Sequence, residues 1–184
     1  MSEDLFISQC APTLAGLKTG NLFSCRFECE SEMREAVRNI NRRLSHKGLR
    51  FFPMRFCRGN ALLYLYRPEK MKNDLLSSHA REILVDYGYP HGSAEKCVSC
   101  LRRKLLTCDS FPHEIGLFLG YPPDDVIGFI KHGAGNCKCS GCWKVYGDEN
   151  AAKITFEKYR KCKDVYCRKY AEGYSVEKLA VAIK

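Results

Sequence analysis

The apolar pattern predicts an α+β fold, a small, mainly antiparallel sheet of three to four strands packed with several helices, in one globular domain over residues 1–184. Three observations predict it. Few strand-like runs lie between helices of crossover length, so a parallel sheet is not expected. Two strand-like runs, 49–57 and 61–66, are separated only by Arg58-Gly59-Asn60 and read as a hairpin. No Ser-, Gly- or Pro-rich linker divides the chain, and 184 residues suit a prior of roughly 150 per domain.

Taken in order, residues 20–28 read as a strand. Ser31 suits the N-cap of a helix whose Met33, Val37, Ile40 and Leu44 recur at helical spacing, and Gly48 suits its C-terminal stop. Acids (Glu30, Glu32, Glu35) lead in that segment and bases (Arg38, Arg42, Arg43, Lys47) follow, as the helix dipole favours without any ligand. Pro53 puts the first hairpin strand at an edge or a bulge. Pro68 opens a helix with Met71, Leu75, His79 and Ile83 as its buried stripe, and Gly88 ends it. A third helix, 94–107, carries Cys97, Leu101, Leu105 and Cys108 along one face. From Phe111 the pattern gives a short helix, a Gly-Tyr-Pro break and a second helix opened by Pro and Asp. Residues 133–141 read as a loop and Trp143–Tyr146 as a strand. A long helix over 149–171 repeats Phe156, Tyr159, Tyr166 and Tyr170; Gly173 breaks it. Ser175 caps a last helix with Val176, Leu179, Ala180 and Ile183 inward.

Lysine and arginine number 30 against 21 acids, a net charge of +9. The charge is spread, with no run of five or six of one sign, so it reads first as a solubilising surface. No stretch approaches the roughly 18 apolar residues of a membrane span, and no membrane partner is expected. The start, Met1-Ser2-Glu3-Asp4-Leu5, is acidic and lacks the basic and apolar parts of a signal peptide. A cytoplasmic location is therefore expected, where the twelve cysteines are reduced and serve as free thiols, metal ligands or redox groups. A P-loop, a Rossmann fingerprint, His-Glu-x-x-His and Gly-x-Ser-x-Gly are all missing. That removes the commonest nucleotide-binding, metalloprotease and serine-hydrolase readings.

Three segments carry a resemblance. They are Cys10–Lys18 with Asn21-Leu22-Phe23, Phe111-Pro112-His113-Glu114-Ile115-Gly116-Leu117-Phe118-Leu119-Gly120-Tyr121-Pro122, and Trp143-Lys144-Val145-Tyr146-Gly147-Asp148. In this order they resemble domain-of-unknown-function family 3793, over nearly the whole chain. The resemblance implies a prokaryotic cytoplasmic domain of anaerobic bacteria and transfers no activity.

Thiols supply most of the candidate chemistry. Cys10 precedes Pro12, and residues 12–18 suit a short helix whose positive end would favour a thiolate, with Lys18 adding charge. The plainer reading is a buried thiol. His113, in the first turn after Pro112, is the candidate base for Cys10, with Glu114 or Asp125 nearby; the plainer reading of Glu114 is an acid stabilising a helix start. Cys137, Cys139 and Cys142 form a Gly-rich cluster suited to zinc or an iron–sulfur cluster. His132, Cys108 or Cys162 would complete it, although the spacing is not that of a zinc ribbon. The plainer reading is an exposed loop with incidental thiols. Cys97-Val98-Ser99-Cys100 lies inside a helix and reads as packing. Cys162 and Cys167 face different ways, and Cys25, Cys29 and Cys57 read as packing or surface residues. His79 reads as a core histidine. The helix after Pro122 opens on Asp124 and Asp125, which repel phosphate, so no sequence-specific nucleic-acid binding is expected.

The leading expectation is a thiol-centred protein that binds a metal or iron cofactor, or handles redox equivalents, in an anaerobe. Two alternatives stand beside it. One is an enzyme with Cys10 as nucleophile and His113 as base. The other is a non-catalytic domain with a redox or protein partner.

Overall fold

The computed structural model describes residues 1–107 and 110–183. The chain begins α1 (Glu3–Leu14), β1 (Gly20–Arg26), α2 (Glu30–Leu44), a 3₁₀ turn (Ser45–Lys47), β2 (Arg50–Cys57) and β3 (Asn60–Tyr66). Helices α3 (Pro68–Leu76), α4 (Ser78–Asp86), α5 (Ala94–Thr107), α6 (Ile115–Phe118) and α7 (Pro123–His132) follow. The last elements are β4 (Cys139–Ser140), β5 (Lys144–Val145), α8 (Glu149–Ala171) and α9 (Val176–Leu179). The fold is α+β, as the apolar pattern predicts. The chain forms two compact units, residues 1–69 with the chain from 161 onward, and residues 70–160. Both passages between units fall inside helices, α3 and α8, which is why the sequence carries no linker signal there.

In the first unit the sheet is antiparallel in the order β1-β3-β2. Arg58 and Gly59 both take positive φ, 47° and 73°, the left-handed pair that a two-residue hairpin turn demands. Pro53 lies on the edge strand β2, where the register shifts between Pro53 and Arg55. A proline is tolerated there because an edge strand leaves its missing N–H unneeded. Phe51 sits at the centre of the core, edge-on to Phe6 at 5.1 Å and stacked on Phe23 at 6.2 Å. Met33, Val37, Ile40 and Leu44 are the buried stripe of α2.

Five local expectations need correction, the first being Ile183, which lies beyond the end of α9 and is 45% exposed rather than inward. The N-terminal helix starts at Glu3 rather than at Pro12, capped by Ser2, whose hydroxyl accepts from Leu5 N at 3.3 Å. Cys10 therefore lies in the C-terminal half of α1. Helix α2 is capped at Cys29, ahead of Ser31. The helix expected over 68–87 breaks at Ser77, which turns His79 to the surface, its Nδ1 3.5 Å from Asp124. Residues 139–140, read as loop, are strand β4, paired with β5.

Arg67 ties the unit together. It is 2% exposed, and its guanidinium donates to Thr13 O, Leu14 O and Val181 O at 2.7 Å and to Lys47 O at 3.2 Å. The last carbonyls of a helix have no partner within it and carry the negative end of its dipole, so a buried cation is stabilised there.

Arg43 of α2 pairs with Glu3 of α1 and Glu177 of α9. The hydrogen bond from Arg43 holds the Glu177 carboxyl down at about 2. Its folded value lies below the ordinary carboxylate value of about 4.3, so this contribution is present above that pH and fades as pH falls towards 2. Urea midpoints of the wild type and Glu177→Gln, measured from pH 7 to pH 2, are expected to differ at neutral pH and converge across that window.

Candidate functional site

The site lies in the second unit and is built on Asp125. This residue occupies the first turn of α7 and is 3% exposed. Its carboxylate accepts three N–H donors, each at 2.7 Å: Trp143 Nε1 on Oδ2, and the backbone N–H of Tyr146 and Gly147 on Oδ1. Charge-assisted bonds of this kind are about twice as strong as neutral ones. They fasten segment 143–147 to α7. Gly128 permits the close approach, because a Cβ there would fall 2.3 Å from Tyr146 Cγ.

Trp143 packs against two aromatic rings. Tyr121 stacks on one side at 4.8 Å, and Phe156 of α8 meets the ring edge-to-face at 4.5 Å. Tyr121 also donates its hydroxyl to Cys142 O at 3.2 Å, and burial pushes that hydroxyl up to about 12. Gly141 packs beneath the Phe156 ring.

These contacts enclose a pocket of about 390 Å³. Phe111, Ile115, Val126 and Phe129 supply apolar wall, and Tyr121 and Trp143 close one side. Polar groups are few: Asp125, already engaged, with His113 and Lys144. The His113 ring lies edge-on to Phe129 at 4.9 Å and 6.1 Å from Phe111. Among the described residues neither His113 nor the Lys144 ammonium has a side-chain hydrogen-bond or ion-pair partner. A concave, mainly apolar cavity with a few convergent polar groups is the usual form of a small-molecule site, and roughly 300–1,000 Å³ is the usual size.

Of the residues expected to carry catalysis, only His113 reaches this pocket. Glu114, its neighbour, turns into the core at 3% exposure, where it accepts from Tyr89 Oη at 3.0 Å and pairs with Lys104 Nζ at 3.2 Å. Lys104 lies over the Tyr89 ring at 4.7 Å, so the group braces the segment that leads to His113. Cys10 is wholly buried in the core of the first unit, beside Phe6, Ile7 and Leu14. Burial pushes its thiol far above the ordinary value, and the opposing effect of Lys18, itself 6% exposed, is smaller. The helix dipole disfavours a thiolate in the C-terminal half of α1. Cys10 and Lys18 belong to one unit and His113 and Glu114 to the other.

The hairpin thiols point to different neighbours. Cys137 donates to Ala134 O at 3.7 Å. Lys153, raised first by its hydrogen bond to Glu149, also feels Cys139. Tyr159, raised mainly by burial, also feels Cys142. Among the described residues no three His, Cys, Asp or Glu side chains gather to hold an ion. His132 stacks near Tyr146 at 6.2 Å, Cys162 lies in the first unit, and Cys108 lies outside the described residues. Cys97 and Cys100 are buried on α5, with Cys97 donating to Pro90 O at 3.3 Å. Cys29 is the thiol whose chemistry spacing alone misses. It is exposed at the start of α2, and hydrogen bonds, first from Ser31 Oγ at 2.9 Å and then from backbone N–H groups, hold its thiol below the ordinary value. The signal in the sequence is its place just ahead of the acidic first turn of a helix.

Residues 6–180 match the family described as protein of unknown function, DUF3793, and the chain belongs to it. Neither the curated proteins nor the solved structures gave a match. Among the described residues, no helix is long and apolar enough to cross a membrane.

Trp143 is the chain's single tryptophan, so its emission reports on this site alone. Asp125→Ala removes the acceptor of three part-buried donors and is expected to cost about 1–3 kcal/mol in urea unfolding. The emission of Trp143 should shift to the red as the indole loses its anchor.

Proposed function

We propose that this domain binds a small, largely apolar molecule in the pocket between α7 and the 143–147 segment. One observation carries the reading: a cavity of about 390 Å³ whose walls are pinned in place by a buried carboxylate. Two of the three segments that carry the family resemblance, 111–122 and 143–148, supply most of its lining. Preorganised walls lower the ordering cost of binding. Residues 1–184 act in this reading as one domain, and a cytoplasmic setting suits its many reduced thiols. No nucleic-acid partner is proposed.

The test uses a neutral aromatic alcohol, 4-phenylbutanol, titrated against Trp143 emission. Saturable quenching is expected. Phe129→Ala removes a half-buried wall ring and is expected to weaken binding about tenfold with little loss of stability. Absence of saturable binding in the wild type, of this alcohol and of the acid and amine built on the same body, overturns the reading.

A second reading keeps the thiols at its centre, with zinc or an iron–sulfur cluster or redox exchange in an anaerobe. It is favoured by one observation: Cys137, Cys139 and Cys142 all reach solvent on a hairpin whose base is fixed to α7. The described geometry gathers no ligand set, so metal binding on this hairpin requires the three side chains to turn inward. Protein purified without oxygen is expected, on this reading, to carry metal that Cys139→Ser removes. A metal-free protein whose hairpin thiols titrate like peptide thiols overturns it.

A further inference from the structure

The pocket's chemistry also selects a ligand class. We propose that it takes a small organic acid, a carboxylate on an aromatic or aliphatic body, with Lys144 and His113 receiving the acid group. This inference rests on the small-molecule reading of the pocket.

The charge of the lining favours an acid. Three ionisable side chains besides Tyr121 line the cavity: Asp125, Lys144 and His113. Asp125 is already engaged, since both its oxygens accept N–H donors from segment 143–147 and its charge is offset there. Lys144 and His113 also line the cavity, and among the described residues no acid is paired to either. A cation beside apolar wall strengthens a charge-assisted hydrogen bond to an anionic oxygen.

A cationic ligand fits poorly, because Lys144 lines the cavity and repels it. A neutral body is accommodated by Phe111, Ile115, Val126 and Phe129, but it leaves the Lys144 ammonium without an acceptor.

The test compares three ligands with one body: 4-phenylbutyrate, 4-phenylbutanol and 4-phenylbutylamine, titrated at pH 7 against Trp143 emission and checked by calorimetry. The acid is expected to bind about tenfold more tightly than the alcohol, and the amine most weakly. Lys144→Met should bring the acid to the level of the alcohol, while Lys144→Arg keeps most of the preference. Thermal melts of both variants establish that the fold is retained. An alcohol that binds as well as the acid overturns the inference and leaves the pocket reading standing. So does a preference for the amine, or a Lys144→Met variant that keeps the full preference for the acid. Failure of all three ligands to bind overturns the pocket reading and the inference with it.

Discussion

The buried carboxylate of Asp125 is the constraint on which the second unit's chemistry depends. An ionised carboxylate at 3% exposure is unfavourable unless its oxygens are satisfied, and here three donors converge on it at 2.7 Å. Two donors are backbone amides of consecutive residues and the third is an indole. The arrangement dictates where the chain after β5 must run and how the Trp143 ring must lie. Gly128 and Gly141 then follow as requirements, since side chains at either would collide with Tyr146 or Phe156. A segment of two-residue strands has a short ladder of its own, and its contacts with α7, Tyr121 and Phe156 add to that order.

Arg67 has a comparable role in the first unit with the opposite sign. It gathers the end of α1, the 3₁₀ turn and the segment after α9 by donating to four neutral carbonyls. Arg67 and Asp125 are thus both buried charges satisfied by neutral carbonyl or N–H groups rather than by a counter-ion. A guanidinium suits that task because its five donors fan out in a plane, which an ammonium cannot reproduce.

Most of the fold is legible in the sequence because long amphipathic periods and turn chemistry are local signals. The bounds of α5 and α8, the hairpin with Arg58-Gly59, the bulge at Pro53 and the Ser175 cap all follow from neighbours in the chain. The failures have a common cause, which is information held by tertiary packing. Pro12 looks like a helix start, yet it sits in the last turn of a helix, where the end of α1 is braced by Arg67. Strand β4 has two residues and exists only because segment 143–147 is pinned beside it. His113 stands out in the sequence and does line the pocket, but for a partner it does not meet. Asp125 stands out only as a neighbour of that histidine, because three donors from residues 143, 146 and 147 leave no trace in local spacing.

The cysteines show why residue type alone misplaces chemistry. A thiol's ionisation depends on solvent access and on which helix end it meets, and neither is set by sequence spacing. Cys10 and Cys29 lie nineteen residues apart and make opposite cases. Cys10 lies in the second half of α1 with no solvent contact, so both desolvation and the dipole keep its proton on. Cys29 stands at the head of α2 in solvent, where Ser31 and backbone N–H groups stabilise the thiolate. A helix that starts at Glu3 instead of Pro12 puts its negative end, not its positive one, nearest the Cys10 sulfur, and so reverses the sign of the field there. Burial at Cys10 and hydrogen bonding at Cys29 therefore set the direction of each thiol, and both follow from where the helices begin.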